Sequence, residues 1–203
     1  MSGSIRDRVL KTLPVSQGEL KVRLCERADY DSLASWPPYI WPYDGFNLRF
    51  AKMSSRELDR LYEERLVELD RVTMVAEVLG NVVGYIALLE IDWVSGVSLN
   101  MAVRLHPEYT NRGYGTDMLK LVSDWWFQNG MKKLRLDVAA SNHRAIRSYE
   151  KAGFTNVGEF WGEAPDLAGL DLDEPRYDFL RDHVKLEGDV PKIRFYWMEK
   201  TRK

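Results

Sequence analysis

Ser98-Leu-Asn-Met-Ala-Val-Arg-Leu105 reads as a strand, and Thr110-Asn-Arg-Gly-Tyr-Gly-Thr116 follows it within a few residues. Beyond the glycines, Met118, Leu119, Val122, Trp125 and Trp126 recur at helical spacing, so that run predicts an amphipathic helix. Gly130 is a natural stop, and Leu134, Leu136 and Val138 alternate as another strand. A strand, a tight glycine turn, a helix and a second strand make a right-handed crossover between parallel strands. Gly113 and Gly115 let the backbone turn so that successive N–H groups face one point at the positive end of the helix dipole, which is an anion site.

Taken alone, the junction leaves several occupants open. A nucleotide-triphosphate loop needs a lysine after the last glycine, and none follows Gly115. A dinucleotide fingerprint needs a third glycine, where Met118 stands, and an acid at the end of the next strand, whereas Asp137 lies inside it. A helix start whose glycines only make the turn is the plainest alternative.

Working outward, Leu20, Val22 and Leu24 alternate as a strand, and Asp29 can cap a short helix. Residues 1–18 read as a loose or accessory arm before one domain over 19–203. Ser54 and Glu57 form a capping box for a helix expected to run to about Leu69. Two strands flanking Gly80-Asn81 read as a hairpin. Near the end of the chain, Phe154 opens a strand, and Ile193, Phe195 and Trp197 form the last one. Residues 162–191 between them are a long connection rich in acids, among them Asp171, Asp173, Glu174, Asp178 and Asp182.

The composition is that of a globular domain: 203 residues, 45% apolar and 30% charged. A formal net charge of -2 argues against a general nucleic-acid binder, so no nucleic-acid partner is expected. No apolar run approaches the ~20 residues of a membrane span, and no membrane association is expected. Cys25 is the one cysteine, expected to pack rather than to react, and its isolation fits a cytoplasmic setting.

A second motif narrows the first. Asn142, Ala145, Tyr149, Gly153 and Phe154 stand in the pattern Asn-x-x-Ala-x-x-x-Tyr-x-x-x-Gly-Phe. With Thr110-x-x-Gly113-x-Gly115 upstream, this closely resembles the GNAT superfamily of N-acetyltransferases, over about residues 20–160 and the last strand. The finer pattern is similar to the bacterial ribosomal-protein N-terminal acetyltransferases. The resemblance implies a mixed α/β fold: a mostly antiparallel sheet of about six to seven strands, helices on both faces, and a parallel crossover at the coenzyme loop. It implies acetyl-coenzyme A as co-substrate and direct attack by a primary amine. The pyrophosphate would lie on the N–H groups of Asn111, Arg112, Gly113, Tyr114, Gly115 and Thr116. The pantetheine arm would pair with backbone near Val103 and Leu105, and Asn142 would order the helix start or touch the coenzyme. Thr110 departs from the family's Arg or Gln.

By the same resemblance Tyr149 is the candidate general acid for the leaving thiolate. Glu90 and Asp92, at the end of a strand, are the candidate bases. Trp36, Tyr39, Trp41 and Tyr43 lie in a segment, 36–46, with three prolines and five aromatics, which would border the acceptor through cation–π contact. The acceptor would be a small-molecule amine or a peptide N-terminus. His106, His143 and His183 have no metal-ligand spacing, so no metal is expected. A homodimer would suit the exposed last strand. The competing class is a coenzyme-A-binding sensor or structural protein without turnover.

Overall fold

A computed structural model describes residues 4–41, 43, 47 and 49–202. Nine strands form one sheet: β1 (Val15–Gln17), β2 (Leu20–Leu24), β3 (Val72–Val78), β4 (Asn81–Asp92), β5 (Val97–Leu105), β6 (Lys133–Ala139), β7 (Thr155–Glu163), β8 (Val184–Glu187) and β9 (Val190–Thr201). Their order is β1-β2-β3-β4-β5-β6-β9-β7, with β8 paired on β9. Every pairing is antiparallel except β5 with β6. The helices are α1 (Ile5–Leu10), α2 (Arg27–Ala34), α3 (Ser55–Val67), α4 (Tyr114–Gln128), α5 (His143–Lys151) and α6 (Asp178–Arg181). The sheet exceeds the expected strand number because two short strands were not legible: β1, a three-residue edge, and β8, a hairpin partner inside the acidic connection.

Alternation sorts the core onto two faces. Ile86 and Leu88 of β4 pack into one cluster with Met118, Val122, Trp125 and Trp126 of α4 and with Tyr149 of α5. Tyr85 and Ala87, their alternates, pack into a second cluster with Tyr30 and Leu33 of α2 and Leu58 of α3. Both tryptophans of α4 are essentially fully buried. Burying a tryptophan removes roughly 150–250 Å² from water, which stabilises by about 4–6 kcal/mol as an upper figure. Their N–H groups are satisfied: Trp126 donates to the Lys133 carbonyl at 3.1 Å, and Trp125 donates to Thr12 Oγ1 at 2.8 Å.

That last bond corrects the expectation of a loose N-terminal arm. Ser4 caps α1 through a capping box with Asp7, Val9 is buried in the main cluster, and β1 pairs with β2. A six-residue helix and a three-residue strand give too little periodicity to be read from sequence. Smaller corrections concern turns. The β3–β4 hairpin turns on Leu79-Gly80, both left-handed (φ 50° and 80°), one residue before the expected pair. Glu26 caps α2, and Asp29 sits three residues inside its box. There Asp29 is also held by Arg23, whose guanidinium reaches both Asp29 and Glu77 at 2.6–2.8 Å.

The feature that makes a site is a wedge between β5 and β6. Their parallel pairing covers only Val97↔Lys133 and Ser98↔Leu134. At that point Glu90 on β4 turns left-handed (φ 51°), and its pairing with β5 skips from Leu89↔Asn100 to Ile91↔Ser98. The fully buried Ser98 hydroxyl lies 3.0 Å from the carbonyls of Leu89 and Asn100, bracing the irregularity. Beyond it β5 stays with β4, while β6 is held by seven pairs to β9. The two strands therefore part, and the sheet opens.

Candidate active site

The opened edge of β5 has a definite chemistry. His106 donates its N–H to the Val83 carbonyl, so the even-numbered residues of β5 turn their backbone groups toward β4. Val103 and Leu105 therefore present theirs to the wedge, where no strand lies beside them. Two of those groups are met by side chains: Arg104 donates to the Val103 carbonyl at 2.8 Å, and the Tyr39 hydroxyl donates to the Leu105 carbonyl.

The glycine loop closes one end of this wedge. Asn111 (φ 61°) and Gly113 (φ 91°) are both left-handed, and Gly113 is the residue before α4. Thr110 donates its N–H to Pro107, and Thr116 and Asp117 donate theirs to Gly113. The N–H groups of residues 111–115 are left with no acceptor among the described residues, as a helix start and an anion nest require. The expected cradle thus loses Thr116 as a backbone donor, although Thr116 still lines the cleft. Arg112 lies over the Tyr109 ring at 5.5 Å and Tyr114 packs on the same ring, so these two reach the nest through backbone. The Thr110 hydroxyl donates to Pro107 at 2.7 Å, which commits this departure from the family pattern to holding the loop.

Loop, β5 edge and α5 enclose a cleft of about 310 Å³. Among the described residues four cations line it, Arg104, Arg144, Arg147 and Lys151, and no carboxylate does. In a chain of net charge -2 this is a concentrated positive field suited to a phosphate-rich ligand. Sequence reading missed the three α5 cations, whose signal was their spacing along one helix face. Asn142 lines the cleft and also caps α5, accepting the Ala145 N–H at 3.1 Å.

Tyr149 reaches the cleft from α5 with its ring in the core. Burial pushes its phenol up to about 12, against a lowering by Arg104. None of the hydrogen bonds among the described residues involves its hydroxyl, which leaves it for a ligand.

The other expected site residues divide. Glu90 is exposed at the wedge, at the left-handed position of β4. Asp92 is away from the cleft: its carboxylate accepts the Val94 and Ser95 N–H groups of the next turn, and the Ser95 hydroxyl together with those N–H groups holds its pKa down. Among the described residues of the aromatic segment, only Tyr39 lines the cleft. Trp36 packs edge-on to His106, and Trp41 packs edge-on to Tyr177 and Phe179 of the acidic connection at 5.2 and 5.3 Å. Phe46 lies outside the described residues. The Tyr39 and Tyr43 rings already carry a cation, with Arg144 over them at 5.1 and 4.0 Å. The acidic connection is likewise partly neutralised by neighbouring cations, through Arg176–Glu174, Arg181–Asp178 and Lys192–Glu187. Burial pushes the Cys25 thiol up to about 12, which leaves it unreactive. Among the described residues, no group of three or more His, Cys, Asp or Glu could hold a metal ion. No helix among them is long and apolar enough to cross a membrane.

A parted parallel pair, an anion nest and an unpaired strand edge define a class, and the acetyltransferase (GNAT) family model matches residues 34–154. The chain belongs to that family, and it is an N-acetyltransferase that uses acetyl-coenzyme A to acetylate an amine. Among its relatives, the spermidine N(1)-acetyltransferase of Escherichia coli K12 is 31% identical over 157 residues, covering 73% of this chain and 79% of the relative. The spermidine N(1)-acetyltransferase of Vibrio cholerae is 26% identical over 119 residues, covering 58% and 63%. A crystal structure of spermidine N-acetyltransferase from Vibrio cholerae in complex with CoA and spermine shares the fold, with a TM-score of 0.62 at 20% identity, over 91% of this chain and 96% of that one. The finer resemblance to ribosomal-protein acetyltransferases finds no support in these relatives.

Proposed function

We propose that the acceptor is a small polycationic amine of the polyamine class, acetylated at a primary amino group. The observation that carries this is the 31% identity to a spermidine N(1)-acetyltransferase across most of both chains. Supporting it, Glu90 lies exposed at the wedge, whereas among the described residues the coenzyme cleft is lined by four cations and no carboxylate. A cationic acceptor and a polyanionic donor are thereby drawn to opposite sides of one seam.

The residues present fit acetyl-coenzyme A. Five backbone N–H groups at 111–115 and the α5 cations would hold its phosphates, and the edges of Val103 and Leu105 would pair with its amide-bearing arm. Both edge carbonyls have a second lone pair, so Arg104 and Tyr39 need not leave entirely. The bound co-substrate supplies an acetyl thioester at the seam. Tyr149 holds a proton for the departing sulfur: a thiol near ~8.5 by analogy with cysteine is expelled as thiolate beside a phenol that stays protonated through neutral pH. A cytoplasmic setting and a homodimer belong to the same reading, on the lone Cys25 and the family.

Thiol release from acetyl-coenzyme A tests the proposal, measured with spermidine, a peptide bearing a free N-terminus, and an aminoglycoside. The proposal expects kcat/KM with spermidine to exceed the others by at least about tenfold. Peptide turnover without spermidine turnover would overturn it. Coenzyme binding with no release from any amine would favour the binding-only class.

A further inference from the structure

Asp137 is inside β6, where a strand carboxylate has no evident purpose. Leu134, Leu136 and Val138 face the α4–α5 cluster, so Arg135 and Asp137 face the other way, toward the side that the coenzyme cleft does not occupy. Asp137 lies beyond Leu134, the last residue of β6 that β5 pairs with. It is half-buried, yet it makes no ion pair within 4.0 Å among the described residues. Arg135, its neighbour on this face, lies over the Trp197 ring at 3.9 Å and forms no ion pair with Asp137. In a closed sheet a group on this face would be screened from α5 by β5. Because β5 has departed, the Asp137 charge reaches Tyr149 on α5 and adds to the rise of its phenol.

The geometry points to Asp137 as the acceptor-side catalytic carboxylate: it receives the ammonium group at the seam and takes its proton, opposite the phenol that serves the sulfur. This rests on the amine-acetylating reading above. The ammonium N–H gives its proton to the carboxylate, and the freed lone pair forms the C–N bond as the C–S bond breaks. The phenol proton passes to the thiolate, and the second proton of the new amide nitrogen restores the phenol. One proton leaves to solvent from Asp137, so the balance closes without another reactant.

Burial raises this carboxyl's pKa most; its own backbone N–H, Arg104 on β5 and Arg135 on β6 lower it, and Glu90 on β4 raises it, with a net upward shift. Tyr149 on α5 stays a neutral phenol through neutral pH. An upward shift suits a base, which must be both ionised at working pH and willing to take a proton. It also makes a stability statement. A carboxyl whose pKa is raised on folding favours the fold below its unfolded pKa, and that contribution is lost as pH rises through the folded value. The ionised form is therefore tolerated at some cost, as is common at active sites.

The test compares wild type with Asp137→Asn and Asp137→Glu, using acetyl-coenzyme A and spermidine from about pH 5 to about pH 10. Asp137→Asn is expected to lower kcat/KM for the amine about 10²-fold or more, leave KM for acetyl-coenzyme A within about threefold, and abolish the acid limb of the pH profile. Asp137→Glu is expected to recover part of the rate. Asp137→Asn is also expected to melt at or above the wild-type temperature near pH 8, with the difference gone near pH 4, which separates loss of a base from loss of fold. Retention of kcat/KM within about threefold together with an unchanged acid limb would overturn the assignment. If wild type acetylates a peptide but not spermidine, the polyamine reading fails, and the same ratios taken with the peptide still decide the role of Asp137.

Discussion

The two sides of the wedge are built by different means. The coenzyme side is largely backbone, the N–H groups at 111–115 and the outer edge of β5, flanked by one helix face of cationic side chains. The acceptor side, on the proposed reading, is side chains from strands far apart in sequence: Glu90 from β4 and Asp137 from β6. Backbone recognition depends on local conformation and tolerates many side chains. An assembly of side chains can change its ligand while the fold stays.

Substituting the residue where the two sides meet should have the largest effect. Tyr149→Phe is expected to lower kcat about 10²-fold while KM for acetyl-coenzyme A stays within about threefold, read by steady-state thiol release. With the phenol raised to about 12, the acid form persists through neutral pH, so Tyr149 should impose no alkaline fall in rate below about pH 10. An unchanged kcat would remove the phenol from the chemistry. Gly113→Ala should damage the coenzyme side alone. The new Cβ meets nothing nearer than Asp117 Oδ2 at 3.7 Å, so the cost is the φ of 91°, about 1–2 kcal/mol. Calorimetry should then show coenzyme A binding weakened about tenfold, with the preference among amines preserved. Tyr39→Phe should act least. It releases the Leu105 carbonyl and should shift KM for acetyl-coenzyme A by no more than about threefold. A larger loss would mean that the hydroxyl itself touches a substrate.

The same contrast governs what the sequence disclosed. The glycine pair, the amphipathic run to Trp126 and the Asn142–Phe154 pattern are local signals, and with them came the crossover, the nest and Tyr149. The bracing at Glu90 and Ser98 was not legible, because a left-handed glutamate and a buried serine look like ordinary strand residues. Asp137 was set aside for lying within its strand, yet that position matters only because β5 peels away, a consequence of long-range register. The aromatic segment is expected to be irregular, and its described residues, 36–41 and 43, form neither helix nor strand. Its rings were expected to await a cation, and Arg144 already supplies one to Tyr39 and Tyr43.

Amide hydrogen exchange with and without coenzyme A tests the central claim most directly, because that claim concerns backbone N–H groups. The account predicts new protection at Asn111–Gly115 and at Val103 and Leu105, with little change in α3. Coenzyme binding that leaves those amides exchanging at their free rates would contradict it.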